Sequence, residues 1–308
     1  MTDVVVVGAG ISGVACARAL QEAGLAVRVL DRGHRVGGRM ARHGGAGRPA
    51  DVGASYLTVS DDAFAAVVDG WHEAGLARPW TDTFCVLGDD EPQLKQGPVR
   101  WGTPFGLQTL VEDLARGLEV TREDVAALPA AATVVLAMPD PQARRLVPEG
   151  HPLADRLDRE FEPVLALTLR LPERTWDTVS PSGHFDGAFV SDHPALAWVA
   201  DDGRRRGDDA PVLVAHSTAS FARQHLADPN AAALGLQVAL QALLRLPEPT
   251  YRAVQRWTYA RPVGERDEPF ALVDGIGVCG DGWGASPKVE TAWLSGHALG
   301  RELAQRLA

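Results

Sequence analysis

The stretch Val4-Val5-Val6-Val7-Gly8-Ala9-Gly10-Ile11-Ser12-Gly13 decides the fold class of this 308-residue chain. Consecutive valines favour a buried strand, and the amphipathic stretch that follows, closed by Gly24, favours a helix. Gly8, Gly10 and Gly13 lie between the two in the pattern GxGxxG. Small residues there permit a tight turn, close approach of a pyrophosphate and packing of helix on strand. The motif predicts an α/β fold with a parallel sheet and a dinucleotide at the first helix N-terminus.

An acidic residue ends the next apolar run. Leu25 to Leu30 completes a strand, helix, strand unit, and Asp31 follows at the distance where an acid accepts hydrogen bonds from a ribose diol. The alternative is a glycine turn without a ligand. Strand, glycines, helix and acid all agree with a nucleotide site, so we favour the site.

The segment after Asp31 separates FAD from NAD. Arg32 and Gly37-Gly38-Arg39-Met40 resemble the second pyrophosphate contact of the glutathione-reductase-like flavoproteins, which simple NAD dehydrogenases lack. The chain resembles these flavoproteins again at Cys279-Gly280-Asp281 and at Val289-Glu290. There the acid meets the ribityl or phosphate portion, and the helix start stabilises negative charge at the flavin pyrimidine edge. A buried structural Asp281 is the alternative.

The resemblance implies that the cofactor is FAD. No cysteine or histidine lies in a recognisable attachment motif, so we expect FAD to be bound without a covalent bond. The residues expected to contact FAD are Gly8, Gly10, Ile11, Ser12, Gly13, Asp31, Arg32, Gly38, Arg39, Met40, Gly53, Ala54, Ser55, Val125, Gly280, Asp281 and Val289.

Motifs along nearly the whole chain are similar to those of the renalase family. They are Gly37 to Met40, Asp51 to Thr58, Trp101-Gly102-Thr103-Pro104, Val135 to Pro139 with Gln142, Trp257 to Pro262, and Val289 to Gly296. The chain departs from the family pattern at Gly106-Leu107-Gln108, at Gly203 with the arginines after it, and at Ala285 to Lys288. The resemblance implies oxidation of mis-reduced dihydropyridine isomers of NAD(P)H, with electrons passed to O2 to give hydrogen peroxide.

The electrons are expected to come from the substrate itself. Gly280, Gly282 and Gly284 lead through Pro287 rather than into a helix, so they form no second dinucleotide fold. Hydride transfer from a dihydropyridine needs no base, and we assign no catalytic acid or base. The pocket candidates are Tyr56, Trp101, His216, Trp257, Tyr259, Arg261 and Trp283. Ordinary core packing is the alternative for each aromatic and for His216. The pair Asp61-Asp62 is predicted to be a helix cap.

Two other functions stay open. Flavin amine oxidases usually carry a lysine near flavin N5, whereas this chain has only Lys95 and Lys288, both outside the strand predicted at 253–259. A flavin-binding protein without turnover would also fit the departures from the family pattern.

The elements divide into a nucleotide domain and a smaller α+β substrate domain with a mixed or antiparallel sheet. Thr103-Pro104 predicts a helix start, 133–138 and 277–280 predict strands of the first sheet, and 289–307 predicts a closing helix. Strands at 164–171, 212–216 and 253–259 are assigned to a second sheet. The predicted FAD-binding domain covers 1–60, 101–148 and 272–308, and the substrate domain covers 61–100 and 149–271.

Composition excludes several partners. A net charge of −10 opposes binding to nucleic acid and to anionic membranes. The three cysteines lack metal or CxxC spacing, so we expect them to be reduced and structural, with no metal site. The N-terminus resembles no leader, which predicts a cytoplasmic protein, and the oligomeric state is left open. The run Arg204-Arg205-Arg206, which is flanked by aspartates, is predicted to form a solvated loop.

Overall fold

The computed structural model describes residues 4–44, 47–88 and 90–307, in which two large sheets carry the fold. The strands are β1 (Val4–Val7), β2 (Val27–Asp31), β3 (Arg42–His43), β4 (Ala50–Asp51), β5 (Arg78–Leu87), β6 (Gln93–Gly102), β7 (Glu119–Arg122), β8 (Thr133–Leu136), β9 (Phe161–Arg170), β10 (Gly187–Val190), β11 (Leu196–Asp201), β12 (Val212–Ser217), β13 (Tyr251–Pro262), β14 (Ala271–Val273) and β15 (Ile276–Val278). The helices are α1 (Ile11–Glu22), α2 (Asp62–Glu73), α3 (Gln108–Leu114), α4 (Asp140–Ala143), α5 (Asp202–Arg206), α6 (Ala219–Gln224), α7 (Ala232–Leu244) and α8 (Val289–Leu307).

The first sheet has the order β14-β15-β8-β1-β2-β7 and is parallel except at β14. Val4 and Val6 face a core shared with α1, α2, α3 and α8, and Val5 and Val7 face a second core on the opposite side. A parallel sheet covered on both faces needs continuous apolar strands, which explains the valine run.

Glycines set the close packing of α1 and α8. A Cβ on Gly13 would lie 1.9 Å from the Gly8 carbonyl oxygen, so α1 can approach β1 only with glycine there. A Cβ on Gly296 would lie 1.9 Å from the Ser12 carbonyl oxygen, and one on Gly300 would lie 2.6 Å from that of Cys16. These contacts bring both helix N-terminal regions to one end of the sheet.

The second sheet has the order β13-β9-β12-β11-β10-β5-β6, and all its pairs are antiparallel except β10 with β5. Leu165, Leu167 and Leu169 of β9 alternate into a core with residues of α6 and α7. The predicted strands at 164–171, 212–216 and 253–259 therefore belong to one sheet, as expected. The domain boundaries remain a prediction, and α2 packs through Phe64 and Trp71 into the core shared with α1 and α8.

The predicted helix start at Thr103-Pro104 is wrong. The helix α3 begins at Gln108, and Gly106 between them has a φ of +93°, which a helix does not contain. The amide of Leu107 donates to Asp51 Oδ1 at 3.1 Å, a contact that the local sequence does not announce. The last strand is also shorter than predicted, ending at Val278.

Among the described residues, no helix is long and apolar enough to cross a membrane. Cys16, Cys85 and Cys279 are buried free thiols, and burial raises the pKa of each.

Candidate active site

Two glycine turns meet at the N-terminus of α1. The amide of Gly37 donates to the Ala9 carbonyl at 2.8 Å, and Gly10 pairs with Gly37 in a parallel bridge. In the described part of the chain, no side chain caps α1 at Gly10, so the first amides of the helix are left without a side-chain acceptor there. A Cβ on Gly10 would come no closer than 4.0 Å, to Gly38 Cα. This cradle fits a pyrophosphate.

Asp31 borders an open cleft beside that cradle. Its Oδ2 accepts from the Ala9 amide at 2.6 Å and its Oδ1 from the Gly33 amide at 2.7 Å, which leaves each oxygen a further lone pair. The cleft has a volume of about 590 Å³ and is lined by Arg32, Gly33, Arg122, Glu123 and Asp124. Val125 follows, half-buried against the core beneath the sheet. The arrangement fits the adenosine end of a dinucleotide.

Arg39 and Asp281 join the two ends of the chain. The Arg39 guanidinium donates to both oxygens of Asp281, at 2.8 and 2.5 Å, and to the Ala260 carbonyl at 3.0 Å. Gly53 lies beside them, because a Cβ there would be 1.9 Å from the Arg39 carbonyl oxygen. The predicted contacts Arg39, Gly53 and Asp281 therefore share one cluster. Met40 is buried beneath it.

The start of α8 is tied to the same region. The buried carboxylate of Glu290 accepts from the amides of Ser60 and Asp61 at 2.6 and 2.8 Å, and from Ser60 Oγ at 2.7 Å. Asp61 caps α2, accepting from the Ala63 amide at 2.8 Å, which confirms the predicted cap. The Gly280 amide donates to Ser295 Oγ at 3.0 Å.

The segment 52–56 runs between the two sheets. Trp257 Nε1 donates to the Val52 carbonyl at 2.8 Å, and Trp198 Nε1 donates to Ser55 Oγ at 3.0 Å. Both indoles belong to the second sheet, on β13 and β11. Ala54 is fixed from the other side, where its amide donates to the Arg39 carbonyl at 2.9 Å. The second sheet and the turn at Arg39 therefore hold this segment from two sides.

His216 lies on β12 near the same segment. Burial, followed by the positive charges of Arg261 and Arg205, lowers the pKa of its imidazole to about 4, although a hydrogen bond to the Val52 backbone opposes this shift. Its Nε2 is buried without a hydrogen-bond partner among residues 4–44, 47–88 and 90–307. The side chain is neutral at physiological pH, and the sequence alternatives of core and catalytic histidine both stay open.

Tyr56 belongs to an aromatic cluster that the sequence reasoning missed. The members are Tyr56, Trp80, Phe84, Phe189 and Trp198. The Tyr56 ring lies 5.4 Å from Phe84 and 5.8 Å from Trp198, centroid to centroid. Burial raises the pKa of the Tyr56 phenol. Spacing along β5 and β11 predicts only alternation, so nothing in it distinguishes these rings from ordinary core.

The remaining pocket candidates lie in different places. Trp101 pairs with Leu57 and packs against His72, with ring centroids 5.4 Å apart. The Tyr259 hydroxyl accepts from Arg145 at 2.7 Å. Arg261 is half-exposed, 4.0 Å from Glu162. Trp283 is buried in the first-sheet core with Arg266 over its ring at 3.9 Å. Of the seven candidates, Tyr56 belongs to segment 52–56, and His216 and Trp257 contact it.

The interpretation of Arg204 to Arg206 as a solvated loop is wrong. The run forms α5, in which Arg205 is fully buried and Arg206 is 6% exposed. Both pair with Asp51 and Asp202, and Arg48 pairs with Asp202 and Asp208. Arg204 pairs with Asp177 at 2.8 Å. Flanking aspartates looked like solvated charge, but folding adds Asp51 from 154 positions upstream of Arg205 as a buried partner.

Within the described residues, no group of three or more histidine, cysteine, aspartate or glutamate side chains is placed to hold a metal ion.

The N-terminal part of the chain is similar to a known domain family. Residues 6–71 match the model of the NAD(P)-binding Rossmann-like domain. The putative flavin-containing monoamine oxidase AofH of Mycobacterium tuberculosis is 48% identical over 65 residues, which are 21% of this chain and 14% of that protein. Polyamine oxidase 4 of Oryza sativa is 54% identical over 55 residues, 18% of this chain and 11% of that protein. The match thus spans a small part of these relatives.

Solved structures match the whole chain. A putrescine oxidase triple mutant has a TM-score of 0.77 at 16% identity, and cyclohexylamine oxidase from Brevibacterium oxydans has 0.76 at 15%, each comparison covering 99% of both chains. A putative protoporphyrinogen oxidase from Exiguobacterium sp. 255-15 has 0.74 at 12%, covering 98% of both. The predicted fold class is confirmed, and the chain shares the fold of these oxidases.

Proposed function

We propose that this chain is an FAD-dependent oxidase that holds FAD without a covalent bond. The α1 N-terminus would receive the pyrophosphate, Asp31 the adenosine ribose, and the region around Arg39, Gly53 and Asp281 the flavin end. Bound FAD supplies a two-electron acceptor that takes a hydride and passes the electrons to O2. The similarity of the nucleotide-binding segment to flavin-containing oxidases supports this function.

We propose mis-reduced dihydropyridine isomers of NAD(P)H as the substrates. The carrying observation is Arg261, a half-exposed guanidinium on β13 whose charge lowers the pKa of His216 near segment 52–56. A guanidinium there could pair with the anionic phosphates of a dinucleotide substrate. The renalase resemblance points to the same substrate class.

The protein would act by positioning. Tyr56 belongs to the segment that would face the flavin, Trp257 contacts that segment, and Arg261 is exposed enough to pair with a substrate phosphate. Loss of the hydride makes the pyridine ring aromatic, so no base has to remove a proton from the substrate. The hydride and one proton from solvent convert O2 into H2O2. With its lowered pKa, His216 would carry no extra proton to donate in this exchange.

Amine oxidation is the second candidate. It is favoured by the similarity of the N-terminal segment to a monoamine oxidase and a polyamine oxidase. It would require a neutral amine beside the arginines, and both lysines, Lys95 and Lys288, are exposed, on β6 and just before α8. Neither belongs to β13, the strand that covers the predicted lysine position at 253–259.

Anaerobic stopped-flow reduction tests the proposal. The purified protein is expected to be yellow, to release FAD on denaturation, and to be bleached faster by chemically prepared dihydropyridine isomers than by NADH or primary amines. Admission of air should restore the oxidised spectrum quickly. Bleaching by amines alone would establish amine oxidation instead, and no bleaching by any donor would indicate a flavin-binding protein without this turnover.

A further inference from the structure

The segment that would face the flavin is held by an arginine of α5, the helix that joins β11 and β12 of the second sheet. Arg205 Nη1 donates to the Ser55 carbonyl at 2.9 Å, although α5 and Ser55 are separated by 150 positions. The Arg205 side chain is completely buried. Its Nη2 contacts the Asp202 carboxylate and lies 3.3 Å from Asp51 Oδ2.

The surroundings fix the Arg205 side chain in one place. A Cβ on Gly102 would lie 2.7 Å from Arg205 Cγ, so glycine leaves the room that the side chain occupies. Asp51 accepts from the Leu107 amide, which links the same ion pair to the start of α3. β4 and α5 therefore meet at this guanidinium, and Asp51 connects it to the N-terminus of α3.

The charge arrangement explains why arginine is needed. A guanidinium presents planar donors in a fixed fork and can serve a carbonyl and two carboxylates together. A lysine ammonium is a compact charge on a flexible stem. It can neutralise Asp51 and Asp202, but it cannot also reach Ser55 with the same geometry.

We propose that Arg205 is a positioning residue for the flavin site. By holding the Ser55 carbonyl, it sets the path of Gly53 and Ala54, against which the FAD ring would lie. Its effect on the cofactor is exerted through the main chain of segment 52–56. This inference rests on the proposed FAD site.

The test compares two lysine variants at buried ion pairs of α5. Arg205→Lys keeps the positive charge and removes the Ser55 contact. Arg174→Lys is the matched control, because Arg174 binds the buried Asp201 at 2.6 and 3.0 Å at the start of α5, and none of its hydrogen bonds or ion pairs within the described residues reaches segment 52–56. For both variants, FAD affinity is measured by titration of apoprotein, together with the visible flavin spectrum and the melting temperature of the apoprotein.

Arg205→Lys is expected to weaken FAD binding roughly five- to tenfold and to shift the visible flavin bands, while the control keeps the wild-type affinity and spectrum at a similar loss of melting temperature. Equal changes in both variants would overturn the inference, since affinity would then follow stability alone. Should Arg205→Lys fail to fold, the double variant Arg205→Gln/Asp202→Asn removes both charges, and a wild-type affinity in it would overturn the inference. A wild-type protein that binds no FAD would overturn the proposed function, and this inference with it.

Discussion

The guanidinium of Arg39 and the carboxylate of Asp281 form a two-bond ion pair across 242 positions of sequence. Each is a predicted FAD contact, so the pair places the segment after β2 and the segment after β15 at one point. The side chains are 29% and 15% exposed, which limits solvent screening. In such a setting, a charged hydrogen bond contributes more than a surface pair.

Asp281→Asn is expected to destabilise the apoprotein by about 1 to 2 kcal/mol, because Arg39 loses its charged acceptor while keeping the Ala260 carbonyl. Urea unfolding at neutral pH measures the change. Glu268→Gln is the control, since its pair with Arg156 is 57% and 39% exposed and should contribute less than about 1 kcal/mol. Equal effects of the two substitutions would show that the Arg39 pair contributes no more to the free energy of unfolding than an exposed ion pair does.

Substitutions at two glycines of the first turn should affect different properties, one of them cofactor binding and the other folding. Gly10→Val is expected to abolish FAD binding and leave the apoprotein folded, because Gly10 has an extended φ of −75° and its Cβ would enter open space. Titration with FAD and circular dichroism of the apoprotein check the two parts.

Gly13→Val is the matched contrast. Its Cβ would lie 1.9 Å from the Gly8 carbonyl oxygen, so this variant should fail to fold rather than merely lose FAD. A Gly10→Val protein that still binds FAD normally would contradict the assignment of the cradle.

The parts of the fold that were predictable are those with local causes. The valines of β1, the glycine turn and the closing helix α8 follow from propensity and spacing, and each was found near its predicted place. The start of α3 was missed because Asp51, 56 positions away, binds the Leu107 amide. No short-range pattern carries that information.

The candidate site shows the same limit. Trp257 and His216 could be nominated because they end or occupy recognisable strands, whereas Trp198 and Arg205 act through contacts with Ser55 that only the packing of the two sheets creates. Charge spacing was misleading at α5, because flanking aspartates are typical of solvated loops as well as of buried ion pairs.

Acid should destabilise the protein through His216. Folding lowers the pKa of this imidazole from 6.5 to about 4, so between these values the unfolded chain binds more protons than the folded one. Stability must then fall as pH decreases through that window, by about 2 kcal/mol at pH 5. His216→Gln should lack this loss in urea unfolding of the apoprotein at pH 7.5 and 5. His34→Gln, on the exposed surface, is the control, and identical pH dependence of the two variants would refute the prediction.

Arg261 tests the substrate rather than the cofactor. Its side chain is 53% exposed and lies 4.0 Å from Glu162, too far for a strong pair, so it is free to turn toward an anionic substrate group. Arg261→Ala is expected to raise the dihydropyridine concentration for half-maximal flavin reduction by roughly five- to thirtyfold, the loss of one charged hydrogen bond. FAD affinity should stay unchanged. Within the described residues, neither the glycine turns at the α1 N-terminus nor segment 52–56 contacts the Arg261 guanidinium.

The nearby Arg223→Ala provides the control, since Arg223 also faces Glu162, at 3.4 Å, and is similarly exposed. It removes one positive charge from the same surface without touching β13. If the two variants raise the half-maximal concentration equally, the effect comes from the general potential of the surface and not from a contact with Arg261. If a substrate lacking phosphates is affected by Arg261→Ala as strongly as the dinucleotide, pairing with a phosphate is the wrong explanation. A phosphate contact requires that the loss appear only with the phosphorylated donor and that it shrink at high ionic strength, where such pairs are screened.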